Sequence, residues 1–201
     1  MPYFGICLGL QVACMEFARN VAGIAGATSG EFEPSAVDRI IIMLEECVGV
    51  KIGGSMRLGR YDCHLEPGTL ARKVYGRDPV PERHRHRYEF NNAYKERLAA
   101  AGLVFSGTTL DGALVEMVEL PGHPWFLACQ FHPEFLSRPL NPHPIFREFV
   151  RAALLQARTR ETAHATDTAR APTPHGSELS STAAALAPAA THPTAIPSGL
   201  S

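Results

Sequence analysis

The pattern Gly5-Ile6-Cys7-Leu8-Gly9 places a thiol between two glycines, after the apolar run from Tyr3 and before a helix-like stretch. A nucleophile held on a tight strand-to-helix turn needs neighbours two residues away that lack a Cβ, because a side chain there would strike the turn. The helix that follows aims its N-terminal N–H groups and positive dipole end at the sulfur, which is expected to lower the thiol pKa. The Leu8 N–H is expected to face an oxyanion developing beside that sulfur. These features point to Cys7 as a nucleophile. A buried core thiol is the better reading of the other cysteines, Cys14, Cys47, Cys63 and Cys129.

A cysteine nucleophile needs a base to take and return protons, and often a third group to hold that base. Of the nine histidines, His164, His175 and His192 lie in a low-complexity stretch at the C-terminal end. His132 follows Ala128-Cys129-Gln130-Phe131, at the end of a buried-strand pattern, the edge at which α/β active sites assemble. Pro133 stops the strand, and Glu134 is spaced to accept from the imidazole N–H and set its tautomer. Spacing alone leaves open that His132 merely ends a strand and that Glu134 is a solvated charge.

Periodicity marks the elements that must carry these groups. Tyr3 to Ile6 reads as the end of a buried strand, followed by a helix from Leu10 to Ala22 that Gly23 stops. Val37 to Leu44 is a continuous apolar run, hence a buried strand. Gly49 to Gly59 reads as a flexible loop or hairpin, Tyr61 to Leu65 as a strand, and Leu70 to Tyr75 as a short helix. Arg83 to Phe90 is extended and basic, and Asn92 to Ala101 is a helix capped by Gly102. Three strands, Leu103 to Thr108, Ala113 to Glu119 and Trp125 to Phe131, precede a closing helix from Pro144 to Gln156. Ile145, Phe146, Phe149, Val150 and Leu154 supply that helix's expected buried face. A strand-turn-helix unit with later antiparallel strands implies a three-layer α/β domain.

Composition sets the limits of that domain. The sixteen aromatic residues all lie before residue 159, and Ala, Thr, Ser and Pro dominate from there onward. Such a stretch buries too little apolar surface to offset about 1–2 kcal/mol per residue of backbone ordering. One domain over 1–158 and a disordered tail over 159–201 are therefore expected. Nineteen Lys and Arg against twenty Asp and Glu provide no basic surplus for nucleic acid. Five widely spaced cysteines without a C-x-x-C fit neither a disulfide framework nor a metal site, and suggest a reducing, cytoplasmic setting. The uncharged first fifteen residues lack a basic leader and are interrupted by Gln11, so no signal or membrane segment is expected.

Gly5-Ile6-Cys7-Leu8-Gly9-Leu10-Gln11 together with Gln130-Phe131-His132-Pro133-Glu134 resembles the class I glutamine amidotransferases. Three further stretches resemble one branch of them, the glutaminase domain of CTP synthase, and the likeness runs from residue 2 to about residue 150. These are Glu16-Phe17-Ala18-Arg19-Asn20-Val21, Gly53-Gly54-Ser55-Met56-Arg57-Leu58-Gly59 and Glu82-Arg83-His84-Arg85-His86-Arg87-Tyr88-Glu89-Phe90-Asn91. The last run argues against other members of the class, such as GMP synthetase or γ-glutamyl hydrolase.

The resemblance implies a three-layer, flavodoxin-like fold and a Cys7-His132-Glu134 triad that hydrolyses L-glutamine through a glutamyl thioester. It implies that Leu8, Gln11, Glu31 and Arg87 contact glutamine, with Glu31 pairing the α-ammonium and Arg87 the carboxylate. It implies a mobile lid that includes Gly53, Gly54 and Arg57 and responds to GTP. In the whole enzyme, ammonia passes to an amidoligase domain that uses ATP and magnesium to aminate UTP to CTP, within a homotetramer. No cofactor or metal is expected in this chain, since it carries no Gly-rich phosphate loop.

Set against that family, the chain is expected to be a truncated glutaminase domain, incomplete at its N-terminus. It would lack the amidoligase domain, several sheet strands and one oxyanion-hole donor, whose loss costs about 10²–10³ in turnover. Ser29-Gly30 before Glu31 and Ser55 in the lid are milder departures. A second expectation is a catalytically impaired fragment that acts only as an interaction partner of full-length CTP synthase.

Overall fold

A computed structural model describes residues 1–45 and 56–170. The main sheet has six strands in the order β1 (Tyr3–Ile6), β9 (Phe126–Cys129), β8 (Val115–Glu119), β7 (Val104–Thr109), β4 (Arg57–Leu65) and β5 (Val80–His86). Only β1 and β9 pair in parallel there; the remaining neighbours are antiparallel. A smaller sheet joins β2 (Thr28–Ser29), β3 (Arg39–Met43) and β6 (Tyr88–Phe90).

Period-two alternation divides the core into two layers, one on each face of the main sheet. Val118 and Ala128 face one cluster, together with Leu10, Cys14 and Phe17 of α1 (Leu8–Asn20), Ile40 and Ile41 of β3, and Leu98 of α3 (Lys95–Ala100). Met117, Leu127 and Cys129 face the other, with Ala71 and Val74 of α2 (Leu70–Tyr75) and Ile145 of α4 (Pro144–Arg170). The expected three layers are present. On the second face, Phe4 of β1 meets the rings of Trp125, Phe146 and Phe149, which seats α4 on the β1–β9 pair.

Several expectations shift in detail. Helix α1 starts at Leu8, directly after Cys7, and ends at Asn20. Asn92 to Tyr94 form a single 3₁₀ turn before α3. Val150 and Leu154, expected on the buried face of the closing helix, are more than half exposed. Helix α4 continues past Arg158 to Arg170. Backbone hydrogen bonds within a helix are satisfied locally, so a segment free of Gly and Pro extends it without needing a core to bury. Residues 171–201 lie outside the described residues.

Charge is buried where the two sheets meet. Arg57 of β4 reaches Glu116 of β8 at 2.7 Å and Glu89 of β6 at 3.3 Å, all three nearly inaccessible. Arg57, expected in the lid, is clamped at the start of β4, and Gly59 also lies within that strand. Gly53 and Gly54 fall outside the described residues. His84 and His86 of β5 complete the cluster, with 2.9 Å between His84 Nδ1 and His86 Nε2. Burial, reinforced by Arg57, holds both imidazoles neutral, down to about 2 for His84 and about 3 for His86. His86 Nδ1 then donates to the Tyr88 carbonyl, and His86 Nε2 accepts from His84.

Two ionised carboxylates against one guanidinium would leave one negative charge in excess. Burial pushes the Glu89 carboxyl up to about 8, against the opposing pull of Arg57. A raised acid stabilises the fold below its ordinary pKa, and that contribution is lost as pH rises through the folded value. Glu89→Gln should therefore flatten the dependence of melting temperature on pH between about 5 and 8 relative to the native chain. Parallel slopes in thermal unfolding across that window would contradict the assignment.

The turn after β1 yields a second expected outcome. A Cβ on Gly5 would lie 2.7 Å from the Gly9 carbonyl carbon, whereas a Cβ on Gly9 meets nothing nearer than the Tyr3 hydroxyl at 4.0 Å. Only Gly5 is sterically obligatory, which narrows the expectation that both glycines were. Gly5→Ala should cost about 1–3 kcal/mol of stability by overpacking, and Gly9→Ala should be close to neutral. Denaturant unfolding of the two variants provides the comparison.

Candidate active site

The parallel pairing of β1 with β9 brings the two chemistry-bearing turns together. Ile6 is in register with Cys129, so Cys7 and Gln130 leave the same ends of neighbouring strands. The Cys7 N–H donates to the Cys129 carbonyl at 2.7 Å. Cys7 has φ 51° and ψ −102°, and is the only non-glycine residue with positive φ among those described. A side-chain-bearing residue is held there only when its surroundings over-determine it, the usual condition of a functional turn. Its carbonyl accepts from the Leu10 and Gln11 N–H groups, so the strained residue is also the N-cap of α1.

The thiol does not behave as its place before a helix suggests. Burial pushes the Cys7 pKa up, and the Glu134 and Glu89 charges add to that rise. The Leu8 N–H beside it and the Gln130 amide, which donates to the sulfur at 3.6 Å, oppose it without prevailing. The expected depression is thus outweighed by desolvation, a cost that a motif on its own does not disclose. A thiol raised in this way stays protonated near neutral pH, so it would need a base beside it to act as a nucleophile.

His132 stands just beyond β9, its backbone N–H donating to the Arg83 carbonyl at 2.8 Å. Its Nδ1 lies 2.6 Å from Glu134 Oε1. An ionised carboxylate only accepts, so the imidazole carries its proton on Nδ1 and presents a lone pair at Nε2. That Nε2 is buried and has no hydrogen-bond partner. Burying such an atom without a partner is costly, and the cost is tolerated where the atom serves a reaction. Phe135 stacks on the ring at 5.0 Å between centroids and fixes its plane from the other side. Pro133 to Phe135 form the 3₁₀ turn that carries Glu134 back to His132.

A cavity of about 240 Å³ opens beside Cys7. All four residues expected to touch glutamine, Leu8, Gln11, Glu31 and Arg87, line it. Gln11 uses both amide hydrogens internally, at 3.1 Å to the Tyr88 carbonyl and 3.2 Å to Gln130 Oε1. Its carbonyl oxygen is the group left over, and it can only accept. Glu31 is exposed at the rim, where its N–H bonds to Ser29 Oγ at 3.1 Å and the preceding Gly30 N–H bonds to the Ile41 carbonyl. Arg85, His86 and Tyr88 also line the cavity and were not singled out from spacing. The alternation of exposed Arg83, Arg85 and Arg87 with buried Glu82, His84 and His86 was the available signal.

Arg57 is directed into the buried charge cluster and is not among the residues that line this cavity. Among the described residues no group of three or more His, Cys, Asp or Glu is placed to hold a metal ion. No helix among them is long and apolar enough to cross a membrane.

The profile of the family described as glutamine amidotransferase class-I matches residues 1–152. CTP synthase of Rubrobacter xylanophilus is 61% identical over 153 residues, which is 76% of this chain and 28% of the relative. CTP synthase of Staphylococcus aureus is 57% identical over 155 residues, covering 77% of this chain and 29% of its own length. The chain thus spans under a third of these curated relatives. The solved glutaminase domain of Trypanosoma brucei CTPS with bound acivicin superposes with a TM-score of 0.71 at 43% identity, over 76% of this chain and 60% of that one. A putative GMP synthase component from Thermoplasma acidophilum shares the fold at 16% identity and a TM-score of 0.50, over 80% of this chain and 61% of that one. The chain belongs to the class I glutamine amidotransferase family, and within it is similar to the glutaminase domain of CTP synthases.

Proposed function

We propose that the chain cleaves the side-chain amide of L-glutamine with a Cys7-His132-Glu134 triad. The observation that carries this reading is the buried, unpartnered Nε2 of His132, on a ring held by Glu134, at the same sheet end as a strained cysteine. His132 takes the thiol proton, and the resulting thiolate attacks the carboxamide carbon. The proton then passes to the departing ammonia as the C–N bond breaks, leaving a glutamyl thioester. Water deprotonated by the same imidazole releases glutamate. Glu134 keeps the imidazole in the tautomer this sequence requires and stabilises its charged form. The Leu8 N–H supports the oxyanion. Glu31 binds the substrate α-ammonium and Arg87 its carboxylate, while the free carbonyl of Gln11 accepts from a substrate N–H.

In the wider reaction the ammonia aminates UTP to CTP on an amidoligase domain, which would supply the ATP and magnesium sites. GTP activation through the lid, a homotetramer and a cytoplasmic location belong to the same proposal. It is supported by the similarity to CTP synthases and by the basic Arg83, Arg85 and Arg87 stripe, which lies exposed beside the cavity.

Hydroxylamine intercepts a glutamyl thioester as the γ-hydroxamate. The purified chain should form that product from glutamine, and Cys7→Ser and His132→Ala should each lower the rate by about 10³-fold or more. Glu134→Gln should retain more activity than either. Absence of hydroxamate from the native chain, or an undiminished rate in Cys7→Ser, would overturn the proposal.

A further inference from the structure

Gln130 is wholly inaccessible and follows Cys129 at the end of β9. Burying a carboxamide is costly unless its polar atoms are partnered. Here they are partnered in one direction: Oε1 accepts from Gln11, and Nε2 donates to Cys7 Sγ at 3.6 Å. The Gln130 backbone N–H is fixed on the Glu116 carbonyl at 2.8 Å, so the side chain is aimed from a rigid strand end. Packing alone would be met at lower cost by methionine or leucine.

We propose that Gln130 is a positioning residue for the Cys7 sulfur, holding it for attack and favouring its anionic form by donating an N–H from a buried amide. An N–H bond to an anionic sulfur is stronger than one to a neutral thiol, so the contact selects the thiolate. Gln11 strengthens it, because accepting at Oε1 polarises the Gln130 amide and makes Nε2 a better donor. The chain runs from a residue lining the cavity, through Gln130, to the nucleophile. It works against the desolvation that raises the thiol. The inference rests on Cys7 being the nucleophile, but its readout does not require turnover.

The test is the rate of Cys7 alkylation by iodoacetamide across pH 6 to 10, quantified on the Cys7 peptide by mass spectrometry in the full chain. Gln130→Met keeps the bulk and removes the donor. Its alkylation midpoint should move up by about one pH unit, making reaction near neutrality roughly tenfold slower. Gln11→Met leaves the Gln130 donor in place but removes its polarising partner, so the midpoint should move the same way by less. Far-ultraviolet dichroism monitors folding, and if Gln130→Met does not fold, the Gln11→Met profile decides. A purely structural Gln130 would lower the melting temperature and leave the midpoints unchanged, which overturns the proposal. If the midpoints shift while the native chain forms no γ-hydroxamate, the glutaminase reading falls and this one stands. If hydroxamate forms and the profiles coincide, this one falls alone.

Discussion

The site depends on one interaction, the parallel pairing of β1 with β9. Because the two strands run the same way, the turns that follow them leave from the same end of the sheet. Cys7 and the Gln130-to-Glu134 segment are therefore neighbours in space. An antiparallel pair would have put them at opposite ends. The register is set by packing: Phe4 and Leu127 face α2 and α4, while Tyr3 stacks on Phe126 at 4.5 Å and hydrogen-bonds the Gly9 carbonyl. A slip of one residue would reverse every face at once. The 2.7 Å bond from the Cys7 N–H to the Cys129 carbonyl extends that pairing one residue beyond the strand and holds the strained turn.

Beneath the site lies a core that is charged where a bland core would be apolar. Arg57, Glu89 and Glu116 join three strands from two sheets, and neutral His84 and His86 link them to the Tyr88 carbonyl. Buried ion pairs contribute little net stability, because desolvation offsets most of their attraction. What this cluster provides is placement. It fixes the junction of β5 with β6, and the strand ends and turn there supply Arg85, His86, Arg87 and Tyr88 to the cavity wall. The cluster reaches Cys7 as well, since Glu89 in its ionised form is one of the charges that raise the thiol. The site accordingly balances a field that favours the thiol against short-range donors that favour the thiolate.

The parts of this arrangement readable from sequence were those with a local cause. The strained turn shows in Gly5 and Cys7, the contact of His132 with Glu134 in a two-residue spacing, and the helices and strands in their periods. Parts that depend on distant partners were not readable. Arg57 belongs to a glycine-rich run and so suggested a lid, yet its partners lie 32 and 59 positions further along the chain. The thiol pKa was expected to fall because the helix start is visible in sequence, whereas the burial that raises it is not. Gln130 was visible only as part of a motif; its role follows from where β1 places the sulfur. Val150 and Leu154 are exposed in the closing helix, where Ile145, Phe149 and Ala152 are the positions that pack on the second cluster.

The central claim is that Cys7 is the nucleophile of a cavity built for glutamine. The most direct measurement is peptide-resolved labelling by a glutamine-analogue chloroketone, with and without competing amino acids. The account predicts modification of Cys7 while Cys14, Cys63 and Cys129 stay unmodified, since all three are buried. It predicts protection by glutamine and none by asparagine, whose shorter side chain leaves the carboxamide out of reach when its α-groups sit on Glu31 and Arg87. Labelling spread over the buried cysteines, or Cys7 labelling that glutamine does not slow, would contradict it.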